Sequence, residues 1–221
     1  VEVFPILNAM FERIWGESPY KSPTDMGVNM AGFCITDDAA VEEAAQEEII
    51  RRYYDALCES RLGRWGEEPA QKIEIIMNHA STTPDKRRVV SAALEKSAKT
   101  GDMPAVAIEL RDGTVVTGKT SNLLGASSAA LLNAVKAAGG IDDSLHLIEP
   151  SVIEPIQKLK TDILGNHNPR LHSDEVLIAL TMSATQSHAA KLATEQLSTL
   201  RGCEAHSTVL LSQVDKDVYR K

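Results

Sequence analysis

Residues 104–118, P-A-V-A-I-E-L-R-D-G-T-V-V-T-G, decide the fold that the sequence predicts. Apolar and β-branched residues stand on both sides of Asp112-Gly113, a dipeptide typical of the tight turn of a β-hairpin. Upstream of Gly101 the apolar residues recur at helix spacing instead. The sequence therefore predicts a helical subdomain over residues 1–100 and an α/β subdomain over residues 101–221 that starts with this hairpin.

The helical subdomain begins with a segment in which Pro5 suits a first helical turn and Gly16 ends the helix. The clearest helical pattern covers residues 37–57, where acids crowd the start and arginines follow, which suits the helix dipole. Two shorter helices are expected near residues 68–79 and 85–98. This part of the chain is therefore predicted to contain helices and no strand.

After the hairpin, helical and strand patterns alternate along the chain. Helices are expected over residues 126–138, 150–164, 173–184 and 187–200, and further strands over residues 145–148 and 207–212. Strands that alternate with helices predict a sheet covered by helices.

The composition argues against two kinds of partner. The formal net charge is -8 and the isoelectric point is about 5.3, so the chain lacks the Lys/Arg surplus that neutralises the phosphates of a nucleic acid duplex. A local basic pocket for a small anion remains compatible with this charge. The sequence contains no apolar run long enough to span a membrane.

The cysteines point to a reducing compartment. Cys34, Cys58 and Cys203 are far apart and form no C-x-x-C pair, so neither a disulfide framework nor a cysteine zinc site is indicated. The expected location is the cytoplasm. The sequence does not specify a cofactor.

The first candidate site is S-P-Y-K-S-P-T-D-M-G-V-N-M-A-G at residues 18–32. A lysine and hydroxyl groups can bind a phosphate or a carboxylate, and Asp25 can act as a base. The alternative is a connection between helices in which Thr24 or Asp25 caps a helix. The candidate ligand-binding residues here are Lys21, Ser22, Thr24 and Asn29.

The second candidate is T-G-K-T-S-N-L-L-G-A-S-S-A at residues 117–129. G-T-V-V-T-G-K-T at residues 113–120 formally matches the P-loop, but T-V-V-T resembles a strand, whereas a P-loop leads directly from a glycine-rich turn into a helix. Anions bind well near a helix N-terminus, and the candidate ligand-binding residues are Lys119, Thr120 and Ser121. For Ser127 and Ser128, helix capping and packing on the sheet are the alternative.

The third candidate is G-N-H-N-P-R-L-H-S-D-E at residues 165–175, taken with C-E-A-H-S at residues 203–207. The start of a helix explains the S-D-E end of the first stretch, because serine caps helices and acids favour their first turn. The remaining side chains suit an anionic or polar ligand, or acid–base chemistry by a histidine. They are Asn166, His167, Asn168, Arg170 and His172, joined by Glu204 and His206.

Five stretches resemble the bacterial domain of unknown function 1846 family. They are Y-K-S-P-T-D-M-G-V-N-M-A-G, Q-E-E-I-I-R-R-Y-Y, V-T-G-K-T-S-N-L-L-G-A-S-S-A, L-G-N-H-N-P-R-L-H-S-D-E-V-L-I-A-L and L-R-G-C-E-A-H-S-T-V-L-L-S-Q-V-D. The resemblance covers essentially the whole chain and implies the C-terminal part of a longer protein. The start at Val1, without Met, agrees with a fragment that lacks an upstream half.

The same resemblance implies a deaminase-like, three-layer α/β/α domain with a mixed sheet. The sequence departs from zinc deaminases, since it has neither H-x-E nor P-C-x-x-C, so zinc-dependent deamination is not expected. The family provides no established activity that can be transferred to this chain.

Three functions remain open. In the first, an enzyme acts on a phosphorylated or nucleotide-like small molecule. In that hypothesis the anion is bound by Lys21, Lys119, Thr120 and Arg170. Acid–base chemistry is provided by His167 or His172, together with Asp25 or Glu204.

In the second, the chain is an assembly or regulatory module whose helical first third forms a homo-oligomer interface. The third is a metal-dependent hydrolase that uses His167, His172, Asp174 and His206, although no recognised zinc signature is present.

Overall fold

The computed structural model describes residues 3–221, which form two compact units divided between Arg87 and Arg88. In the described residues the first unit contains helices and no strand, as the sequence predicts. Its helices are α1 (Phe4–Trp15), α2 (Pro23–Met30), α3 (Asp38–Arg61) and α4 (Glu68–His79), followed by a 3₁₀ turn at Pro84–Lys86.

The core of the first unit lies between α3 and α4. Ile49 and Ile50 of α3 are buried against Ile76 and Met77 of α4. The partly buried Tyr53 of α3 and Ile73 of α4 join them at positions three or four residues away, so each helix presents one apolar face and their burial holds the two helices together.

The second unit consists of helices and three short strands. Its elements are α5 (Arg88–Lys99), β1 (Ala105–Glu109), β2 (Val115–Lys119), α6 (Ala126–Ala138), α7 (Pro150–Lys158), α8 (Ser173–Ser183), α9 (His188–Gln196), β3 (Glu204–Ser207) and α10 (Gln213–Tyr219). A π-helical turn at Leu159–Ile163 extends α7, and a 3₁₀ turn at Leu197–Leu200 extends α9. The helix α5, which the sequence groups with the helical subdomain, belongs to the compact unit that contains the sheet.

The strands form one sheet in the order β2-β1-β3, and β1 is antiparallel to both neighbours. The predicted hairpin of β1 and β2 is confirmed. Val106 and Ile108 pack against α6, whereas Ala107 between them packs against Val89 and Ala93 of α5. Because successive side chains of a strand point to opposite faces, helices cover both faces of this sheet.

Gly118 explains why α6 lies close to β2. A Cβ atom at this position would lie 2.1 Å from the backbone nitrogen of Ala130, so only glycine fits beneath the helix. Gly118 also pairs with Val106 inside the hairpin. The formal P-loop match therefore falls within a strand, as the sequence analysis argued.

Three expectations about the sheet are wrong. Residues 145–148 form no strand, because Leu147 and Ile148 are instead buried as loop residues in the core around Ile153. The last strand covers Glu204–Ser207 rather than residues 207–212. With those strands absent, the sheet is antiparallel rather than mixed in the part of the chain that the structure describes.

Candidate functional site

The second and third candidate stretches meet in the second unit. Leu124 and Leu171 form a parallel bridge, in which the N–H of Leu171 donates to the carbonyl of Leu123 over 3.0 Å. The Nε of Arg170 donates to the carbonyl oxygen of Ser121 over 2.7 Å. These bonds therefore join the loop before Gly125 to the loop before His172, although the two loops lie about 50 residues apart in sequence.

Two helices start side by side at this bridge. Gly125 follows Leu124 and is the N-cap residue of α6, and His172 follows Leu171 and is the N-cap residue of α8. The N–H of Gly125 donates to the carbonyl of Leu171, which ties the two segments together. Helix N-termini carry partial positive charge, so both ends favour anionic groups in the same region.

The most distinctive pair is His172 and Asp215. The Nδ1 atom of His172 lies 3.1 Å from Oδ2 of Asp215, a residue of α10 that is 6% exposed. Burial raises the pKa of Asp215, but hydrogen bonds from Ser212, Ser173 and His172 outweigh it and lower the pKa to about 2. The carboxylate is therefore charged at neutral pH and can only accept.

It follows that Nδ1 of His172 carries a hydrogen, which leaves Nε2 as the ring nitrogen that can exchange a proton with a ligand. Among residues 3–221, no group hydrogen-bonds Nε2. The His172 side chain is 31% exposed, so a ligand can reach the ring.

Two serines fix the position of the Asp215 carboxylate. Ser173 donates to Oδ1 through both its backbone N–H, over 2.9 Å, and its hydroxyl, over 2.7 Å. Ser212 donates to Oδ2 over 2.7 Å. Since these donors hold both carboxylate oxygens, the carboxylate cannot rotate away from His172 without losing several bonds.

A buried lysine supports the loop on the other side of His172. Lys160 is 3% exposed, and its Nζ donates to the carbonyl of Arg170 and to Oε2 of Glu175, each over 2.6 Å. The same Glu175 oxygen accepts the backbone N–H of His172 over 2.8 Å. Lys160 and Glu175 therefore fix the backbone at His172.

One cationic side chain borders this region. Arg170 is half-buried, and among residues 3–221 its guanidinium forms no ion pair and its Nη atoms have no acceptor. It can therefore bind an anion without breaking a salt bridge. Lys119 ends β2 and is exposed, but it pairs with Ala105, which lies on the same side of β1 as Ala107, so its side chain is on the face of the sheet that α5 covers rather than the face that α6 covers.

The other predicted residues of these loops play more local parts. The hydroxyl of Ser121 accepts the N–H groups of Leu123 and Leu124. The side chain of Asn168 accepts the N–H of Arg170 over 3.2 Å. Thr120 is half-buried, and Asn166 and His167 are exposed.

The first candidate lies in the first unit, where much of its polarity serves the start of α2. Ser22 accepts the N–H of Asp25 over 3.0 Å, and Asp25 accepts the N–H of Lys21 over 2.7 Å and the amide of Asn29. The oxygen of Asn29 accepts the N–H of Ile35 over 3.1 Å. Asp25 thus takes part in capping the helix, which was the alternative to a role as a base. The N-cap residue is Ser22 rather than Thr24.

The same unit contains an open groove of about 650 Å³ beside this helix start. Lys21 and Tyr20 line it together with Glu12 of α1 and His79 of α4. Lys21 is exposed, while Ser22 and Asp25 are buried, so the lysine is the member of the first candidate that remains open to a ligand.

Glu204 and His206 are residues of β3. They pair with Glu109 and Ala107 of β1, which places them on the face of the sheet that α5 covers. The carboxylate partner of His172 is thus Asp215, not Glu204. Among residues 3–221, no three or more His, Cys, Asp or Glu side chains are placed to hold a metal ion, so the geometry does not support the set proposed for a metal-dependent hydrolase.

Sequence reasoning missed Asp215, Ser212 and Lys160. S-Q-V-D at residues 212–215 has the form of a helix cap, and Ser212 does accept the N–H of Asp215 over 3.2 Å. The pattern gives no sign that the aspartate also reaches α8. Lys160 lies inside a helical pattern, where a lysine is ordinarily a solvated residue.

Similarity to known proteins covers the whole chain. Residues 85–221 match the family model described as domain of unknown function DUF1846, C-terminal, and residues 1–81 match the N-terminal model of the same family.

No helix among the described residues is long and apolar enough to cross a membrane.

Two curated relatives carry the name UPF0371 protein. The chain is 52% identical over 220 residues to UPF0371 protein cu0538 of Corynebacterium urealyticum. It is 53% identical over 221 residues to UPF0371 protein str1377 of Streptococcus thermophilus. In both comparisons the match includes 100% of this chain and 44% of the relative, so the chain spans less than half of their length. The family models and the relatives together show that this chain belongs to the DUF1846 family.

Proposed function

We propose that this protein is an enzyme that acts on a small anionic molecule, phosphorylated or nucleotide-like, with His172 as its general acid–base. The observation that supports this proposal is the bond between Nδ1 of His172 and the buried Asp215 carboxylate. A carboxylate at Nδ1 fixes the tautomer and the orientation of a histidine, and it stabilises the imidazolium that forms when Nε2 takes a proton.

The surrounding side chains have distinct parts in this proposal. Arg170, which is joined to the loop before α6, binds the anionic group of the substrate. Asp215 orients the histidine, while Ser173, Ser212 and Lys160 position these groups without contacting the substrate. Because the relatives are more than twice as long as the chain, residues outside it are expected to complete the active site.

Two finer expectations belong to the same proposal. The deaminase-like, three-layer arrangement is supported by the helices on both faces of the sheet. The cytoplasmic location is supported by the three cysteines, all of which are free in the structure.

The test is a ligand screen followed by a turnover measurement on the intact protein. Nucleotides and sugar phosphates are screened by thermal shift, and compounds that stabilise the protein are incubated with it and analysed by mass spectrometry. His172→Gln should abolish turnover, whereas His188→Gln, which changes an exposed histidine at the start of α9, should not. Turnover by His172→Gln at the wild-type rate would refute the acid–base assignment.

A second function is favoured by one observation in the first unit. On α1, Ile6, Met10, Ile14 and Trp15 are each more than half exposed, Ile6 at 64%. Large apolar side chains grouped on one exposed helix are typical of an interface. The corresponding proposal is a non-catalytic assembly module in which α1 binds a second copy of the protein, and a monodisperse monomer in light scattering would count against it.

A further inference from the structure

The two adjacent helix N-termini differ in how their N–H groups are satisfied. At α8, the N–H of Ser173 donates to the Asp215 carboxylate. At α6, the N-cap is Gly125, which has no side chain to accept a bond. Within residues 3–221 the N–H groups of the first three helical residues, 126–128, have no acceptor, and all three residues are buried. A buried helix end that lacks acceptors needs water or a ligand.

A second observation at α6 concerns the side chain of Ser127. This residue is 4% exposed, and no group of the described chain hydrogen-bonds its hydroxyl. A Cβ atom built at Gly125 would lie 3.8 Å from that Oγ, so the hydroxyl projects back over the N-cap. The Ser127 hydroxyl, which no group of the described chain hydrogen-bonds, therefore lies beside the unpaired N–H groups of the same helix turn.

The position of this helix end connects it with His172. Since Leu124 and Leu171 are paired in parallel, the residues that follow them, Gly125 and His172, are also neighbours. The hydroxyl of Tyr219 in α10 donates to the carbonyl of Ser127 over 2.8 Å. The helix α10 thus contacts both the first turn of α6 and, through Asp215, the ring of His172.

We infer that the N-terminus of α6 is the site for an oxyanion of the substrate, a phosphate or a carboxylate, bound by the N–H groups of residues 126–128 and by the hydroxyl of Ser127. The inference rests on the proposed function, because it places the bound group next to the histidine that acts on the rest of the molecule. A helix N-terminus contributes about half a positive charge to such a site. At α8 a carboxylate of the protein, Asp215, already occupies the equivalent position.

Gly125 allows a direct test with a matched control. Its backbone has φ -68 and ψ 161, which any residue adopts, and the nearest atoms to an added Cβ lie 3.7 and 3.8 Å away. Gly125→Ala should therefore fit and leave the site open. Gly125→Asp should place a carboxylate over the helix end, as a built-in cap that excludes the ligand.

The experiment measures binding to the intact protein by calorimetry, with inorganic phosphate and acetate as separate probes and chloride as the control for ionic strength. We expect Gly125→Asp to weaken binding of the preferred probe by about tenfold or more, Ser127→Ala to weaken it by a smaller factor, and Gly125→Ala to leave it within about twofold. Stronger binding of phosphate than of acetate would identify the substrate as a phosphate ester, and the reverse order would identify it as a carboxylate.

Outcomes for this site and for the acid–base proposal are separable. Wild-type binding of phosphate and acetate by Gly125→Asp, or no binding of either by the wild-type protein, would overturn the inference. If Gly125→Asp loses binding while His172→Gln keeps full turnover, the oxyanion site stands and the acid–base role fails. Unchanged thermal stability of Gly125→Asp would show that a loss of binding does not come from misfolding.

Discussion

The same short motif, Ser-x-x-Asp, starts a helix in each unit of the molecule, at Ser22–Asp25 and at Ser212–Asp215. In both, the serine accepts the N–H of the aspartate, over 3.0 Å and 3.2 Å. The carboxylates then differ. Asp25 bonds to Lys21 and Asn29, at most four residues away, whereas Asp215 bonds to Ser173 and His172, 42 and 43 residues away. A local cap and a tertiary organiser can therefore share one sequence signature.

The largest expected effects on stability come from replacing each of the two aspartates in turn. Asp215→Ala leaves four donors without their acceptor, two from Ser173 and one each from Ser212 and His172, and should cost about 3 kcal/mol. Asp25→Ala affects only its own segment and should cost about 2 kcal/mol. Both tryptophans of this chain, Trp15 and Trp65, lie in the first unit.

Urea denaturation can therefore assign each loss to its unit. Asp25→Ala should shift the tryptophan fluorescence transition, and Asp215→Ala should shift a circular dichroism transition while fluorescence changes less. If Asp215→Ala shifted only the fluorescence transition, the long-range role of its carboxylate would be wrong.

The next largest effect is expected in the pH dependence of stability, which should distinguish the second unit from the first. The pKa of Asp215 in the folded chain is about 2, below its ordinary value of 3.8. The stabilisation that this group provides is therefore fully present above pH 3.8 and is lost as the pH falls through 2. The difference corresponds to about 2 kcal/mol. Acid titration followed by circular dichroism should show this loss in the wild-type chain.

Asp215→Asn is the control for that titration, because its amide does not titrate. This variant should be less stable at neutral pH and should lose less stability than the wild type between pH 4 and pH 2. Parallel curves for the two proteins would contradict the assigned pKa of Asp215.

The state of His172 gives a prediction that does not depend on stability. With Asp215 charged, the neutral ring should carry its hydrogen on Nδ1, and ¹⁵N NMR of the imidazole should show Nε2 as the unprotonated nitrogen. In Asp215→Asn the amide can accept or donate, so the preference for this tautomer should weaken. An Nε2-protonated ring in the wild-type protein would remove the basis of the proposed acid–base role.

The contrast between the two motifs also explains what could be predicted from the sequence. The hairpin at Asp112-Gly113 and the extent of α6 depend on neighbouring residues, and both were predicted within a few positions. The stretch L-H-L-I at residues 145–148 resembles a strand, but Leu147 and Ile148 are buried as loop residues, because the core accepts apolar side chains from irregular backbone as well. Asp215 could not be predicted as the partner of His172, since only the packing of α10 on α8 brings them together.

The smallest expected effects come from the serines of the two motifs. Ser22→Ala removes one capping bond and should cost about 1 kcal/mol in the first unit. Ser212→Ala removes the equivalent cap and, in addition, the 2.7 Å bond to the Asp215 carboxylate. Loss of that donor should raise the pKa of Asp215, so the second unit should begin to unfold at a higher pH than in the wild type.

Acid titrations of Ser22→Ala and Ser212→Ala, followed by circular dichroism, should therefore differ. If Ser212→Ala had the same acid profile as Ser22→Ala, Ser212 would be only a cap, and the difference between the motifs would rest on Ser173 and His172 alone.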